Sequence, residues 1–198
     1  MLFPFSTLFL TLLLGGGTDL TGTRTPHRPI SQDVSNRFHY VVEPPVAELR
    51  VGDRAPNFAY QGYEGHWMRL HHLVDQGPVL LVLGWNEEQL VQLEREREEL
   101  LQLGVIPVAI VDRKPGKART IVRTLKLKFT VLADPRLVIA WQFNVAESGR
   151  ITPSWFVIDR RARVRALSRT HVPAEAYTRL CARALALPMP GTLVPTSH

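Results

Sequence analysis

The sequence predicts an α/β domain in which a central mixed sheet is flanked by helices and preceded by an N-terminal hairpin. Short apolar runs bounded by turn residues, such as 79–83, are typical of strands buried on both faces of a sheet. Segments with helical spacing alternate with these runs, which favours parallel strand pairing. Two later runs, 155–158 and 163–168, flank a short turn and therefore predict an antiparallel pair.

The chain is predicted to contain one domain with appendages. It has 198 residues and 45% hydrophobic composition, which supports a single well-buried core. We place the domain at residues 47–187. Residues 18–46 are rich in Thr, Pro, Gly and Ser without apolar periodicity, and they are interpreted as a disordered linker, as residues 188–198 are interpreted as a disordered tail.

Residues 1–17 form an apolar leader. The apolar stretch 1–14 is shorter than the ~20 residues of a spanning helix and suits the h-region of a signal peptide. No Lys or Arg precedes it, however, and residues 15–17 are a poor cleavage site. We expect the leader to export the protein or to associate it with a membrane, and a cytoplasmic location is the alternative.

The predicted domain opens with a turn-rich segment, 51–58, which contains a proline and is followed by a turn signal at residues 62–65, and this combination favours an edge hairpin. Residues 66–74 have apolar residues at helical spacing and predict a short helix. Gly77 and Pro78 end this helix before the buried strand 79–83.

The longest predicted helix begins at Asn86, an effective N-capping residue followed by two glutamates where the helix dipole favours negative charge. Leucines at helical spacing extend it to a stop at Gly104. An apolar run predicts the next strand at 105–111, and helical spacing predicts a further helix at 115–125.

Four elements are predicted before the last helix: strand 130–134, helix 137–143, strand 155–158 and strand 163–168. Pro173 is expected to open the final helix, because proline is tolerated in a first helical turn.

This order of elements resembles the thioredoxin fold, and several local motifs resemble the AhpC/TSA branch of the peroxiredoxin-like redoxins. Residues 51–58 (VGDRAPNF) are similar to that family's opening G-x-x-A-P-x-F signature. The L-G-V turn at 103–105, the D-P turn at 134–135 and the F-V-I-D strand at 156–159 are similar to later motifs. The resemblance covers about residues 47–187.

The resemblance implies an antioxidant oxidoreductase, but the residue that carries this chemistry is missing. In the family, a peroxidatic cysteine at the start of the long helix forms the reactive thiolate. The position equivalent to that cysteine is occupied by Asn86, and the loop before it is too short for the family's P-x-x-x-T-x-x-C motif. We expect Asn86 to cap the helix, since asparagine cannot act as a sulfur nucleophile.

An active-site-like cleft is still implied by the resemblance. Thr152 and Pro153 precede a strand, as does the thioredoxin-fold loop whose proline is cis and faces the active site. Together with Trp85, they are the residues expected to line such a cleft. The other tryptophans are interpreted as core or rim packing.

The only thiol is Cys181, so an intramolecular disulfide, a CxxC pair and a cysteine zinc cluster are excluded. It lies on the apolar face of the last predicted helix and is expected to be inert. The predicted function is therefore a binding or scaffolding module, with a protein partner that the sequence does not identify. The alternative is an active thiol-disulfide oxidoreductase that uses Cys181 or a partner's thiol.

No cofactor, metal or nucleic acid is expected. His71 and His72 are adjacent and cannot chelate one metal from the same helix face. The formal charge is +6, with basic residues concentrated at 113–128 and 160–169. Because these stretches lack interleaved aromatics, they are interpreted as solvated faces, and anion binding, which would depend on salt, is the alternative.

Overall fold

The computed structural model describes residues 48–61, 66–84, 86–169, 173 and 175–189. The predicted leader, the predicted linker and most of the predicted tail lie outside these residues, so those assignments stay predictions. Within the described part of the chain, no helix combines the length and the apolar character needed to cross a membrane.

In chain order the elements are β1 (Ala59–Gln61), β2 (Trp67–Arg69), α1 (Leu70–Gln76), β3 (Val79–Leu83), α2 (Glu87–Arg95), α3 (Arg97–Gln102), β4 (Ile106–Val111), α4 (Pro115–Thr124), β5 (Thr130–Ala133), α5 (Val138–Gln142), β6 (Ala146–Glu147), β7 (Arg150–Ile151), β8 (Ser154–Ile158), β9 (Val164–Ser168) and α6 (Tyr177–Leu185).

The central sheet has the strand order β5-β4-β3-β8-β9. The β3, β4 and β5 strands are mutually parallel, whereas β8 runs antiparallel to both β3 and β9. In the middle of the sheet, Leu81 pairs with Val108 on one side and with Phe156 on the other. Together with the separate β1–β2 hairpin, this sheet confirms the predicted fold class.

Two apolar cores lie on the two faces of the central sheet. One core contains residues of α1 and α5, and there the ring of Phe143 packs edge-on against Phe156 at a centroid distance of 5.0 Å. The other core contains residues of α2, α3, α4 and α6, including Leu90, Leu93 and Leu180. All five residues of β3 and of β8 are buried, which is consistent with the apolar runs 79–83 and 155–158.

The predicted N-terminal hairpin is formed by β1 and β2 on either side of residues 62–65, whereas the segment 51–58 that leads into it pairs with the β8–β9 connection. The amide of Gly52 donates to the carbonyl of Val164 at 2.7 Å, and the amide of Ala55 donates to that of Ala162 at 2.7 Å. The hairpin is formed by β1 and β2, so Trp67 lies in a strand and not in the helix predicted at 66–74.

The predicted long helix is divided at Glu96 into α2 and α3. The carboxylate of Glu96 accepts from the amide of Thr178 at 2.8 Å and from its hydroxyl at 3.1 Å. These bonds satisfy the first turn of α6, whose own N-cap, Ala176, supplies no side-chain bond. The last helix begins at Tyr177 and not at Pro173, and its first turn is bonded to a residue 82 positions earlier.

The D-P turn after β5 starts a short helix through the side chain of its aspartate. The buried carboxylate of Asp134 accepts from the amides of Val138, Ile139 and Ala140 at 2.8, 2.9 and 3.0 Å. Burial raises the pKa of Asp134, while these hydrogen bonds act in the opposite direction. The motif is thus a structural device that orients α5.

We predict that Glu96→Ala lowers the free energy of unfolding by about 1–2 kcal/mol, because it leaves the Thr178 amide without its cap. Urea unfolding followed by circular dichroism measures this effect. Glu99→Ala is the matched control, since Glu99 is exposed on the neighbouring helix, and it should change the stability little. Equal stability of the two variants would contradict the role of Glu96.

Candidate functional site

The candidate site lies at the carboxyl end of β3, where the chain enters α2. Gly84 follows β3 with a φ of +77°, and a Cβ atom built on it would lie 3.0 Å from the Cα of Pro153. This close approach requires glycine, both for its backbone conformation and for the lack of a side chain. Two segments that the sequence predicted to share a cleft thereby come into contact, whereas Trp85 lies outside the described residues.

The loop before β8 is held by three hydrogen bonds around Thr152. Its amide donates to the carbonyl of Val145 at 2.8 Å, and its own carbonyl accepts from the hydroxyl of Ser154 at 2.7 Å. The hydroxyl of Thr152 donates to the carboxylate of Glu147 at 3.3 Å. The expected cis bond before Pro153 is wrong: no peptide bond between described residues is cis.

Asn86 caps α2 through a reciprocal pair of hydrogen bonds. Its side-chain oxygen accepts from the amide of Gln89 at 2.7 Å, and the side-chain oxygen of Gln89 accepts from the amide of Asn86 at 3.4 Å. This arrangement is a capping box. The Asn86 side chain therefore serves as the N-cap of α2, as the sequence predicted.

Beneath this helix end lies a group of buried polar side chains that the sequence interpretation missed. Gln89 is fully buried, and no hydrogen bond of ordinary geometry reaches its Nε2, the hydroxyl of Tyr177 or the Nε1 of Trp155 from the described residues. Burial raises the pKa of Tyr177 to about 12, and the neighbouring Gln89 amide acts against this rise. The Asn-x-x-Gln spacing at 86–89 was the signal that could have identified Gln89.

Cys181 lies within the core formed by α2, α6 and the sheet. Its side chain is fully buried among residues that include Leu90, Leu93 and Tyr177. Burial is the main cause that raises the pKa of Cys181 to about 12, and the nearby carboxylate of Glu96 acts in the same direction. The structure therefore gives this thiol no access to the surface at Asn86 and Pro153.

The described residues contain no group of three or more side chains that could hold a metal ion. His71 and His72 are both exposed, and the Nε2 of His71 lies 3.5 Å from the guanidinium of Arg54. Of the remaining tryptophans, Trp155 is buried, whereas Trp67 and Trp141 are exposed by 56% and 59%. Two tryptophans therefore present large aromatic surfaces to solvent.

The capping side chains at this helix end supply no nucleophile. Among its described residues, Asn86 has an amide and Gln89 has a second amide, and neither can become an anion that attacks a peroxide or a disulfide. Gln89 is fully buried and the Asn86 oxygen already accepts from its amide, while Glu87 and Glu88 occupy the first turn.

A family model for the AhpC/TSA family matches residues 51–167. Among solved structures, the chain is similar to the peroxidoxin BcpB from Mycobacterium tuberculosis, at 19% identity over 70% of this chain and 97% of that one, with a TM-score of 0.64. It is also similar to the Chlorobium tepidum protein assigned as the thiol:disulfide interchange protein DsbE, at 23% identity over 70% and 97% of the two chains, with a TM-score of 0.58.

A third similar structure is the mitochondrial 2-Cys peroxiredoxin from Plasmodium falciparum, at 14% identity over 69% of this chain and 93% of that one, with a TM-score of 0.59. These identities are low, so the structures establish the shared fold only. A comparison with curated proteins gives no significant match.

We predict that Gly84→Ala lowers the free energy of unfolding by about 2 kcal/mol, because an L-residue is strained at positive φ and its Cβ would crowd Pro153. Gly116→Ala is the control: a Cβ there meets no atom within 4 Å and lies in α4. Its stability should stay equal or rise by up to about 0.5 kcal/mol. Thermal and urea unfolding of both variants test the difference, and a neutral Gly84→Ala would show that the two loops do not need this contact.

Proposed function

This chain belongs to the AhpC/TSA family, and from that premise we propose that it is a redoxin domain without thiol peroxidase activity that acts as a binding or scaffolding module. The observation that carries the proposal is the separation of the only thiol from the family's reactive position. Cys181 is enclosed in the core, whereas Asn86 begins the helix.

Peroxide reduction by a thiol requires a thiolate that peroxide can reach. With a pKa of about 12, roughly one molecule in 10⁵ would carry the Cys181 thiolate at pH 7. The negative carboxylate of Glu96 further opposes ionisation of the Cys181 thiol. A reactive cysteine, in contrast, has cationic groups or amide donors beside it. Both features argue against catalysis by this residue.

Asn86 stabilises the helix end and supplies no reactive group there. A cysteine at a helix N-terminus gains acidity from the backbone amides, but here the side-chain oxygen of Asn86 accepts from the Gln89 amide at 2.7 Å. N-capping by asparagine stabilises a helix by about 1 kcal/mol. The residue at the family's reactive position therefore serves to cap the helix.

The exposed aromatic side chains support a binding role. Trp67 in β2 and Trp141 in α5 keep more than half of their side-chain surface in solvent. Tryptophan is enriched among the residues that dominate binding energy in protein interfaces. A partner protein that covers either tryptophan would explain why a domain without the family's nucleophile keeps the scaffold.

We predict that the purified protein consumes hydrogen peroxide or alkyl hydroperoxides with a dithiol reductant no faster than its Cys181→Ala variant. Asn86→Cys alone should restore little, because the shortened loop before residue 86 lacks the family's proline and threonine. Stopped-flow peroxide consumption at equal concentrations measures both rates. Consumption that depends on Cys181 would reject the proposal and favour the oxidoreductase alternative.

The thiol itself gives a second prediction, through the pH dependence of stability. The pKa of Cys181 rises from 9.0 to about 12 on folding, so the resulting stabilisation is complete below pH 9 and is lost as the pH rises toward 12. The wild type should lose about 1.4 kcal/mol per pH unit relative to Cys181→Ala within this window. Because Cys181 contributes to the raised pKa of Tyr177, both proteins carry Tyr177→Phe in this comparison.

Urea unfolding at several pH values, from 8 upward, checks this difference. In parallel, iodoacetamide should alkylate Cys181 in guanidinium chloride but only very slowly in the native protein. Parallel stability curves for the two proteins, together with rapid native alkylation, would mean that the thiol is open to solvent.

A further inference from the structure

A cleft of about 350 Å³ opens at the end of the central sheet that faces away from Asn86. Pro78 lines this cleft and precedes β3, whereas Gly84 follows the strand. Six residues of extended chain span about 20 Å, so the cleft is separate from the candidate site. Its volume lies within the range of small-molecule sites in proteins.

The polar lining of the cleft is strongly cationic. It consists of Asp159, Arg160, Arg161 and Arg165. Three arginines and one aspartate give the lining a net charge of two positive.

The single carboxylate is already used by the turn between β8 and β9. The Oδ1 of Asp159 accepts from the amide of Arg161 at 2.8 Å and from the amide of Arg163 at 2.9 Å. Its Oδ2 lies 3.8 Å from the Nε of Arg165, which is a loose ion pair. Asp159 therefore positions the arginines more than it neutralises them.

Two of the arginines have no partner within the described part of the chain. Arg160 and Arg161 are exposed, and their guanidinium groups make no ion pair or hydrogen bond to a described residue. Arg163 on the same hairpin differs, because its guanidinium donates to the carbonyl of Gly52 at 2.9 Å. The hairpin thus uses one arginine for structure and presents two to solvent at the cleft.

The rest of the lining is apolar. Pro78, Leu185 and Leu187 form it, and both leucines are half-buried. Leu187 reaches this position because Ala186 adopts a left-handed conformation with φ of 53°, after which the amide of Leu187 donates to the carbonyl of Ala182 at 2.8 Å. Leu187 therefore lies beside Leu185, and the cleft has an apolar side as well as arginines.

We propose that this cleft binds a phosphomonoester that carries an apolar group. A phosphomonoester is close to a dianion at neutral pH and so matches the net charge of the lining. Guanidinium groups bind phosphate oxygens with paired, directional hydrogen bonds. Leu185, Leu187 and Pro78 provide the surface for the apolar group, which inorganic phosphate lacks.

Calorimetric titration of the full chain with phenyl phosphate tests the proposal. Arg160→Gln/Arg161→Gln should weaken binding roughly tenfold. Arg123→Gln/Arg136→Gln removes the same charge from exposed arginines outside the cleft lining and should leave binding unchanged. Inorganic phosphate should bind more weakly than phenyl phosphate, and binding should weaken as the salt concentration rises.

Vesicles distinguish a soluble phosphomonoester from a lipid headgroup. Phosphatidylcholine vesicles that contain phosphatidic acid should bind the wild type more tightly than vesicles with phosphatidylserine at equal surface charge, if the ligand is a lipid. Binding of phenyl phosphate without this vesicle preference indicates a soluble ligand. Saturable binding of neither probe, or an equal loss in the two double variants, would overturn the proposal, and both results are independent of peroxide consumption.

Discussion

The organisation of the molecule depends on β3, which is buried on both faces and hydrogen-bonded along both edges. Its partners are β4 and β8, and its side chains contribute to both apolar cores. A strand in this position has no free surface, so groups that bind or react can lie only near its ends. The candidate helix end lies after Leu83, and the cationic cleft lies before Val79.

The central elements could be predicted from the sequence because their signals are local. Continuous apolar runs identified β3, β4 and β8, and Asn86 was recognisable as a cap from its residue type and its position before a leucine periodicity. The fold class followed from the order of these elements. In each case, the deciding interactions involve residues close in sequence or a burial pattern that repeats along one strand.

The predictions from sequence differ from the structure where residues distant in the chain determine the local structure. Glu96 looks like one more surface residue of a long helix, but that helix divides at Glu96, and its carboxylate bonds to Thr178. Residues 51–58 have a turn-rich composition, yet the amides of Gly52 and Ala55 donate to carbonyls at the β8–β9 connection. The local Asn-x-x-Gln spacing can indicate Gln89, but its contact with Tyr177 joins two helices that lie far apart in the sequence, so no local pattern reveals that contact.

The bond between Glu96 and α6 also bears on synthesis of the protein. The ribosome completes α2 long before Thr178 is made, since 82 positions separate the two partners. Until then, α6 cannot cover Leu90 and Leu93, and these side chains share a core with Leu180 only after the last described helix has docked. A nascent chain with an uncovered apolar helix face is a substrate for chaperones and is prone to aggregate. Docking of α6 is therefore the step that closes this core during synthesis.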